Sequence, residues 1–209
     1  SDRDSDILWV SDYIVPHQDC DVGPDGEIYV ITRKVYLDED YNPDEPVADD
    51  EITVLDPEGQ VLETISIRDA LARSPYAPAL RRMPPEGDLL HANTVEYVRG
   101  PFQGSIAPLR EGTLLLSLLH LDLVCALDPG TDEVYWAESD YWFRQHKPTM
   151  LPSGHMVVFD NQGIAEHSRV LEMDVATCET VWMYEGTEQD PLFTILRGAA
   201  QRLPNGNTL

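Results

Sequence analysis

A short phrase, a tight turn followed by an apolar run, recurs along this chain and limits what it can fold into. It reads Pro24-Asp25-Gly26-Glu27-Ile28-Tyr29-Val30, then Arg110-Glu111-Gly112-Thr113-Leu114-Leu115-Leu116, then Pro152-Ser153-Gly154-His155-Met156-Val157-Val158. It opens once more at Pro204-Asn205-Gly206-Asn207-Thr208-Leu209. Glycine supplies the backbone freedom a tight turn needs, and a short apolar run bounded by turns reads as a buried strand. A second phrase follows each complete copy: an apolar strand ending in Asp, a turn, and another strand. Its copies begin at Ile52-Thr53-Val54-Leu55-Asp56, Leu123-Val124-Cys125-Ala126-Leu127-Asp128 and Val170-Leu171-Glu172-Met173-Asp174. Trp136 stands eight residues after Asp128, Trp182 eight after Asp174, and Thr64 takes the matching place after Asp56. Trp9 is read as the final strand of a preceding copy.

The 46 residues from Trp136 to Trp182 suit four short strands, and four strands per repeat is the mark of a β-propeller blade. The expected fold is therefore all-β: a single partial β-propeller over residues 1–209, holding the end of one blade, three complete repeats and the start of another. An open propeller leaves bare sheet edges, so the chain is expected to be about half of a six-bladed propeller, part of a longer protein or completed by other residues. Helical periodicity is confined to one short segment, Ile67-Arg68-Asp69-Ala70-Leu71-Ala72-Arg73. Residues 38–50 form an acidic, Pro-containing insert, read as a solvated loop. Asp38, Asp40, Asn42 and Asp44 alternate like calcium ligands, but Pro43 stands where an EF-hand loop needs glycine.

With 38 acidic against 14 basic residues the net charge is -24, so the basic footprint of a nucleic-acid binder is missing. No run of about 18 apolar residues is present to span a membrane. Cys20, Cys125 and Cys178 form no CxxC pair and allow at most one disulfide, and Cys125 falls in an apolar strand as a small core residue.

The histidines follow the repeat. His146 lies in a loop eight residues before Gly154, His17 nine before Gly26, and His91 leads into the repeat of Gly112 after an insertion. In the fourth copy the place is taken by Arg197-Gly198-Ala199. Such positions lead into the innermost strands, so histidines of successive blades are expected to converge on one axial pocket, where convergent titratable groups mark a functional site. Zinc needs tetrahedral ligands, and neighbouring blades are expected to hold these side chains too far apart, so no metal is expected. His155 and His167 read as structural; His120 stands where its side chain could reach the channel.

His91-Ala92-Asn93, Ser117-Leu118-Leu119-His120, Gln145-His146-Lys147-Pro148 and the Leu-Pro-x-Gly turns together resemble the arylsulfate sulfotransferase family. The resemblance covers nearly the whole chain except its inserts. It implies a six-bladed β-propeller, a periplasmic or extracellular setting, and no cofactor. It implies that a sulfuryl group passes from an aryl sulfate to a phenol, without a nucleotide donor, through a sulfurylated histidine. Carried over, His146 resembles the nucleophile, His91 and Asn93 the His-x-Asn pair, and His17 the histidine of the first inner loop. Where the family often has Ser-x-Arg, this chain reads Ser117-Leu118-Leu119; Arg197 is the candidate to replace the missing cation. The expected partners are the small-molecule donor and acceptor, with self-association left open. These residue types suit sulfuryl transfer, with neutral imidazole as nucleophile, His91 and Asn93 as donors to the sulfuryl oxygens, and His17 as base for the phenol. The rival reading is a non-catalytic propeller that binds a ligand or protein, and Leu119 favours it.

Overall fold

A computed structural model describes residues 7, 9–10, 14–164 and 167–209. Three antiparallel sheets follow one another in chain order. The first is β1 (Pro16–Val22), β2 (Ile28–Asp38), β3 (Asn42–Leu55) and β4 (Val61–Ser66), with two-residue β5 (Gly87–Asp88) added parallel to β3. The second is β6 (Ala92–Tyr97), β7 (Leu114–Leu118), β8 (Leu123–Asp128) and β9 (Glu133–Glu138). The third is β10 (His146–Met150), β11 (His155–Ile164), β12 (His167–Asp174) and β13 (Thr180–Tyr184). Each is a four-stranded meander in sequence order, as in a propeller blade.

The turn glycines have the expected geometry: Gly26, Gly112, Gly154 and Gly206 sit at φ 94°, 82°, 94° and 86°. Their turns join the first strand of a blade to the second, so the innermost strand precedes the turn instead of following it. His146 accordingly opens β10 and does not lie in a loop, and His167 opens β12. The recurrent aspartates cap the turn between third and fourth strands. Asp56 Oδ1 accepts from the N–H groups of Glu58 and Gln60, Asp128 Oδ1 from Gly130, and Asp174 Oδ1 from Ala176 and Thr177. These are Asx turns, the reason Asp recurs there. Thr64, Trp136 and Trp182 all fall in fourth strands, as expected. Trp9 is not in a strand. Its ring covers Gly59 and its Nε1–H donates to the Pro57 carbonyl at 2.9 Å; part of the strand expected around it lies outside the described residues.

The acidic insert is not a loop either. β2 and β3 run on through it as a long hairpin, pairing Lys34 with Asp49 and Asp38 with Asn42. Arg68 of the short helix α1 (Ile67–Ala72) holds this extension, with contacts of 2.8 Å to Asp38 and 2.9 Å to Asp49. The Asn42 Oδ1 accepts from the N–H groups of Asp44 and Glu45, so part of the calcium-like alternation serves the chain's own backbone. Ser66 caps α1 by accepting the Asp69 N–H at 3.1 Å, and Ile67, Ala70 and Leu71 are its buried face.

The apolar side chains pack in layers between blades. One layer joins Ile31, Ile52 and Leu71 of the first blade and its helix to Leu90, Leu116 and Leu118. The next sets Leu115, Val124 and Trp136 against Met150, Met156 and Val158. Cys125 is fully buried in the first layer, and all three cysteines are free. Among the described residues, no helix is long and apolar enough to cross a membrane.

The innermost strands are stitched to one another through side chains. Asp19 and Asp21 on β1 accept from the N–H groups of Val95 and Tyr97 on β6 at 3.2 and 2.7 Å. Thr94 and Glu96 on β6 do the same for Lys147 and Met150 on β10 at 3.0 and 2.8 Å. An inner strand has one unpaired edge, and an acceptor every second residue of its neighbour satisfies those donors. Part of the acidity of this chain is thus structural.

Candidate active site

Each inner strand is irregular where its histidine stands. The register to the second strand shifts between Pro16 and Cys20, between Ala92 and Thr94, and between His146 and Thr149. Gln18 and Lys147, the residues after His17 and His146, take left-handed φ of 69° and 46°; His91 does so itself, at 52°. Bulges of this kind re-aim side chains next to functional sites.

They bring histidines together. The rings of His17 and His91 are 5.2 Å apart centre to centre, and those of His91 and His120 also 5.2 Å. His91 Nδ1 lies 2.5 Å from the Asp88 carboxylate, and His120 Nδ1 donates to the Asp88 carbonyl at 2.8 Å. Both rings therefore carry their proton on Nδ1 and turn Nε2 away from these anchors. Ligand atoms of His17, Asp88 and His91 lie within 4.8 Å of one another, closer than expected for histidines of neighbouring blades, though His146, the third histidine of that expectation, is not among them. A cation is already there. Arg33 Nη2 is 3.1 Å from His17 Nδ1, 2.9 Å from Asp88 and 3.4 Å from Asp50.

His146 is 8% exposed, and the charge of His91 acts on it. Its Nδ1 lies 2.8 Å from Asn161 Oδ1. The Asn161 amide nitrogen donates to the carbonyls of Arg197 at 2.6 Å and Thr194 at 3.2 Å, which fixes which end of the amide faces the ring. Oδ1 can only accept, so His146 bears its proton on Nδ1 and offers the Nε2 lone pair. Burial lowers the His146 pKa below the usual histidine value, and the charges of His91 and Arg144 push the same way, against the bonds to Asn161 and the Arg144 carbonyl. Burial lowers that of His120 as well. The neutral, nucleophilic form of His146 is thus the favoured one near neutral pH.

The other residues singled out in the sequence sit differently. Asn93, expected to meet the substrate, is buried: its amide nitrogen donates to the Gln145 carbonyl at 2.9 Å and its Oδ1 accepts from Thr94. It holds the backbone that carries His146. The Arg197 side chain is exposed, and what reaches His146 is its carbonyl, through Asn161. His155 bonds Glu172 at 2.9 Å, away from the cluster. Sequence reasoning missed Arg33, Asp50, Asp88, Arg144 and Asn161. Among them only Asn161 carries a local signal, the Asp160-Asn161 pair that follows the apolar run Met156–Phe159 within β11. Gln145, in the same phrase as His146, is fully buried and donates to Ser117 Oγ and the Leu123 carbonyl at 3.1 and 3.0 Å, locking the strand from below.

The arylsulfotransferase (ASST) family profile matches residues 5–209. No curated protein matches the chain. Among solved structures, a protein of unknown function from Bacteroides caccae is similar at 12% identity and a TM-score of 0.44, over 88% of this chain and 72% of that one. With four-stranded blades in series, a histidine cluster at their inner strands and a family match over nearly its whole length, this chain belongs to the arylsulfotransferase family.

Proposed function

We propose that the protein moves a sulfuryl group from an aryl sulfate to a phenol through a covalent intermediate on His146, in a periplasmic or extracellular setting. The observation that carries this reading is the tautomer imposed by Asn161, which leaves a buried imidazole with its Nε2 lone pair free. That lone pair attacks sulfur, the S–O bond to the aryl group breaks, and the aryl oxide leaves. His17 and His91, whose rings touch, are the groups placed to give the leaving oxygen a proton and to take one from the incoming phenol. The phenol oxygen then attacks sulfur, the N–S bond breaks, and His146 is restored. His120 faces the same space, while Asn93 and Gln145 keep the β10 backbone in place so that attack needs no reordering. Arg33 fills the cation position of the His17–Asp88–His91 group, and the proposed reaction calls for no metal there.

The test is release of nitrophenol from a nitrophenyl sulfate in the presence of a phenol acceptor. His146→Ala is expected to abolish release with the fold intact, and His91→Ala to slow it by about 10²–10⁴-fold as proton transfer is lost. Wild-type turnover by His146→Ala contradicts the assignment. The rival, a binding module without turnover, predicts donor binding and no release from the wild type.

A further inference from the structure

The segment that carries Asp88 to the histidines is held from outside the cluster. It runs from Pro84 to Leu90, and the long β2–β3 hairpin braces it. At the tip, the Tyr41 hydroxyl donates to the Pro84 carbonyl at 2.8 Å and the Asn42 amide to the Pro85 carbonyl at 3.0 Å. Further in, β5 pairs with β3 through Val47–Gly87 and Ala48–Asp88, and the Leu89 N–H donates to the Ala48 carbonyl at 3.0 Å. Arg33, from β2, meets the Asp88 carboxylate at 2.9 Å. Beyond Asp88 the chain turns to the second blade, where the Leu90 and His91 carbonyls accept from the His120 and Leu119 N–H groups, both at 3.1 Å. Asp88 is thus the junction between the hairpin and the imidazoles of His91 and His120, which its carboxylate and carbonyl anchor.

The hairpin is in turn clamped by a side chain from α1. Arg68 contacts Asp38 of β2 at 2.8 Å, Asp49 of β3 at 2.9 Å and the Tyr36 hydroxyl at 2.6 Å, and that hydroxyl donates to Asp49 at 3.3 Å. One planar guanidinium so ties both strands at once, which its fork of donors allows and a point charge does not. Asp49 is buried, and its chain neighbours lead straight to the cluster. Ala48 pairs with Asp88, and Asp50 accepts the Ala92 N–H beside His91. We propose that Arg68 is a positioning residue for the histidines: by clamping the β2–β3 hairpin it sets Asp88, and through Asp88 the Nδ1–H tautomer and the orientation of His91 and His120. The acidic insert is then a brace for the site. The anchoring stands on these contacts alone; its effect on rate rests on the sulfuryl-transfer reading above.

The test reads the imidazole nitrogen shifts of His91 and His120 by NMR, with His155, which bonds Glu172 in the third blade, as internal reference. The wild type is expected to show the Nδ1–H form at both. In Arg68→Gln both should lose that single tautomer and give averaged shifts, exchange of the Leu89 N–H should quicken, and His155 should stay where it is. With nitrophenyl sulfate, kcat should fall by about 10- to 100-fold with KM little changed, because what is lost is placement of the proton-transfer groups. Arg68→Lys, keeping the charge without the fork, should fall between the two. If Arg68→Gln does not fold, Tyr41→Phe combined with Asn42→Ala removes the bonds of the hairpin tip and should move the same two imidazoles in the same direction. Unmoved His91 and His120 signals in the folded variant overturn the proposal, as does an equal shift at His155, the mark of a general loosening. The NMR readout needs no turnover. A protein whose His91 and His120 tautomers depend on Arg68, yet which never transfers a sulfuryl group, would sink the transfer reading alone.

Discussion

At the scale of single residues, the candidate site is a set of imidazoles whose Nδ1 atoms are tied down. Asp88 anchors His91 and His120 through its carboxylate and carbonyl, and Asn161 anchors His146. The consequence for pH is specific. Burial and nearby positive charge lower the His146 pKa, so the acid limb of kcat/KM is expected below about 6.5, the ordinary histidine value. The Nδ1–H bond to Asn161 favours the cation and so raises that pKa. Asn161→Leu is therefore expected to move the limb lower still while reducing kcat, because the tautomer is no longer imposed. A wild-type limb at or above 6.5, read from the pH–rate profile, contradicts this electrostatic picture. The approach of His17 and His91 was legible in the sequence, because both precede a turn glycine of the repeat. The anchors were not: Asp88 and Asn161 matter through which end of a carboxyl or amide faces a ring, and no spacing reports that.

At the scale of elements, the repeat was legible because its signals are local. Positive φ demands glycine at Gly26, Gly112 and Gly154, and Asx turns demand aspartate at Asp56, Asp128 and Asp174. What the pattern misplaced was the innermost strand. Gln145-His146-Lys147-Pro148-Thr149 reads as a loop because it is polar, carries Pro148 and bulges at Lys147. It is a strand because its donors are met from the next blade, by Thr94 and Glu96. The insert at 38–50 misled for the same reason: acidic residues and prolines suggest solvent, while Arg68 holds the hairpin from a distant helix. The two fourth-strand tryptophans allow a graded test. Trp136 is buried between blades, whereas Trp182 is half-buried under the Arg202 guanidinium, 4.4 Å from its ring centre. Trp136→Ala is expected to cost about 3–5 kcal/mol and Trp182→Ala clearly less, measured by denaturant unfolding. Equal losses would mean the interblade layer does not carry the load assigned to it.

At the scale of the whole molecule, the proposed transfer depends on successive blades being locked in register, since the first two supply the touching His17 and His91 rings and the third supplies His146. Asp50 is a joint of this kind. Fully buried on β3, it accepts from Arg33 of its own blade at 3.0 Å and from the Ala92 N–H of the next at 2.7 Å. Asp50→Ala is expected to destabilise by about 3 kcal/mol, the low end for breaking a buried ion pair because Arg33 keeps Asp88. It should also slow transfer by separating His17 from His91; a variant that loses less than about 1 kcal/mol in denaturant unfolding contradicts the joint. The most direct measurement is mass spectrometry of the protein after exposure to an aryl sulfate donor alone, with no acceptor present. The expected result is a single sulfuryl adduct on the peptide that contains His146, discharged when a phenol is added and missing in His146→Ala. An adduct on a different residue, or turnover by a protein that never carries one, would contradict the covalent role of His146.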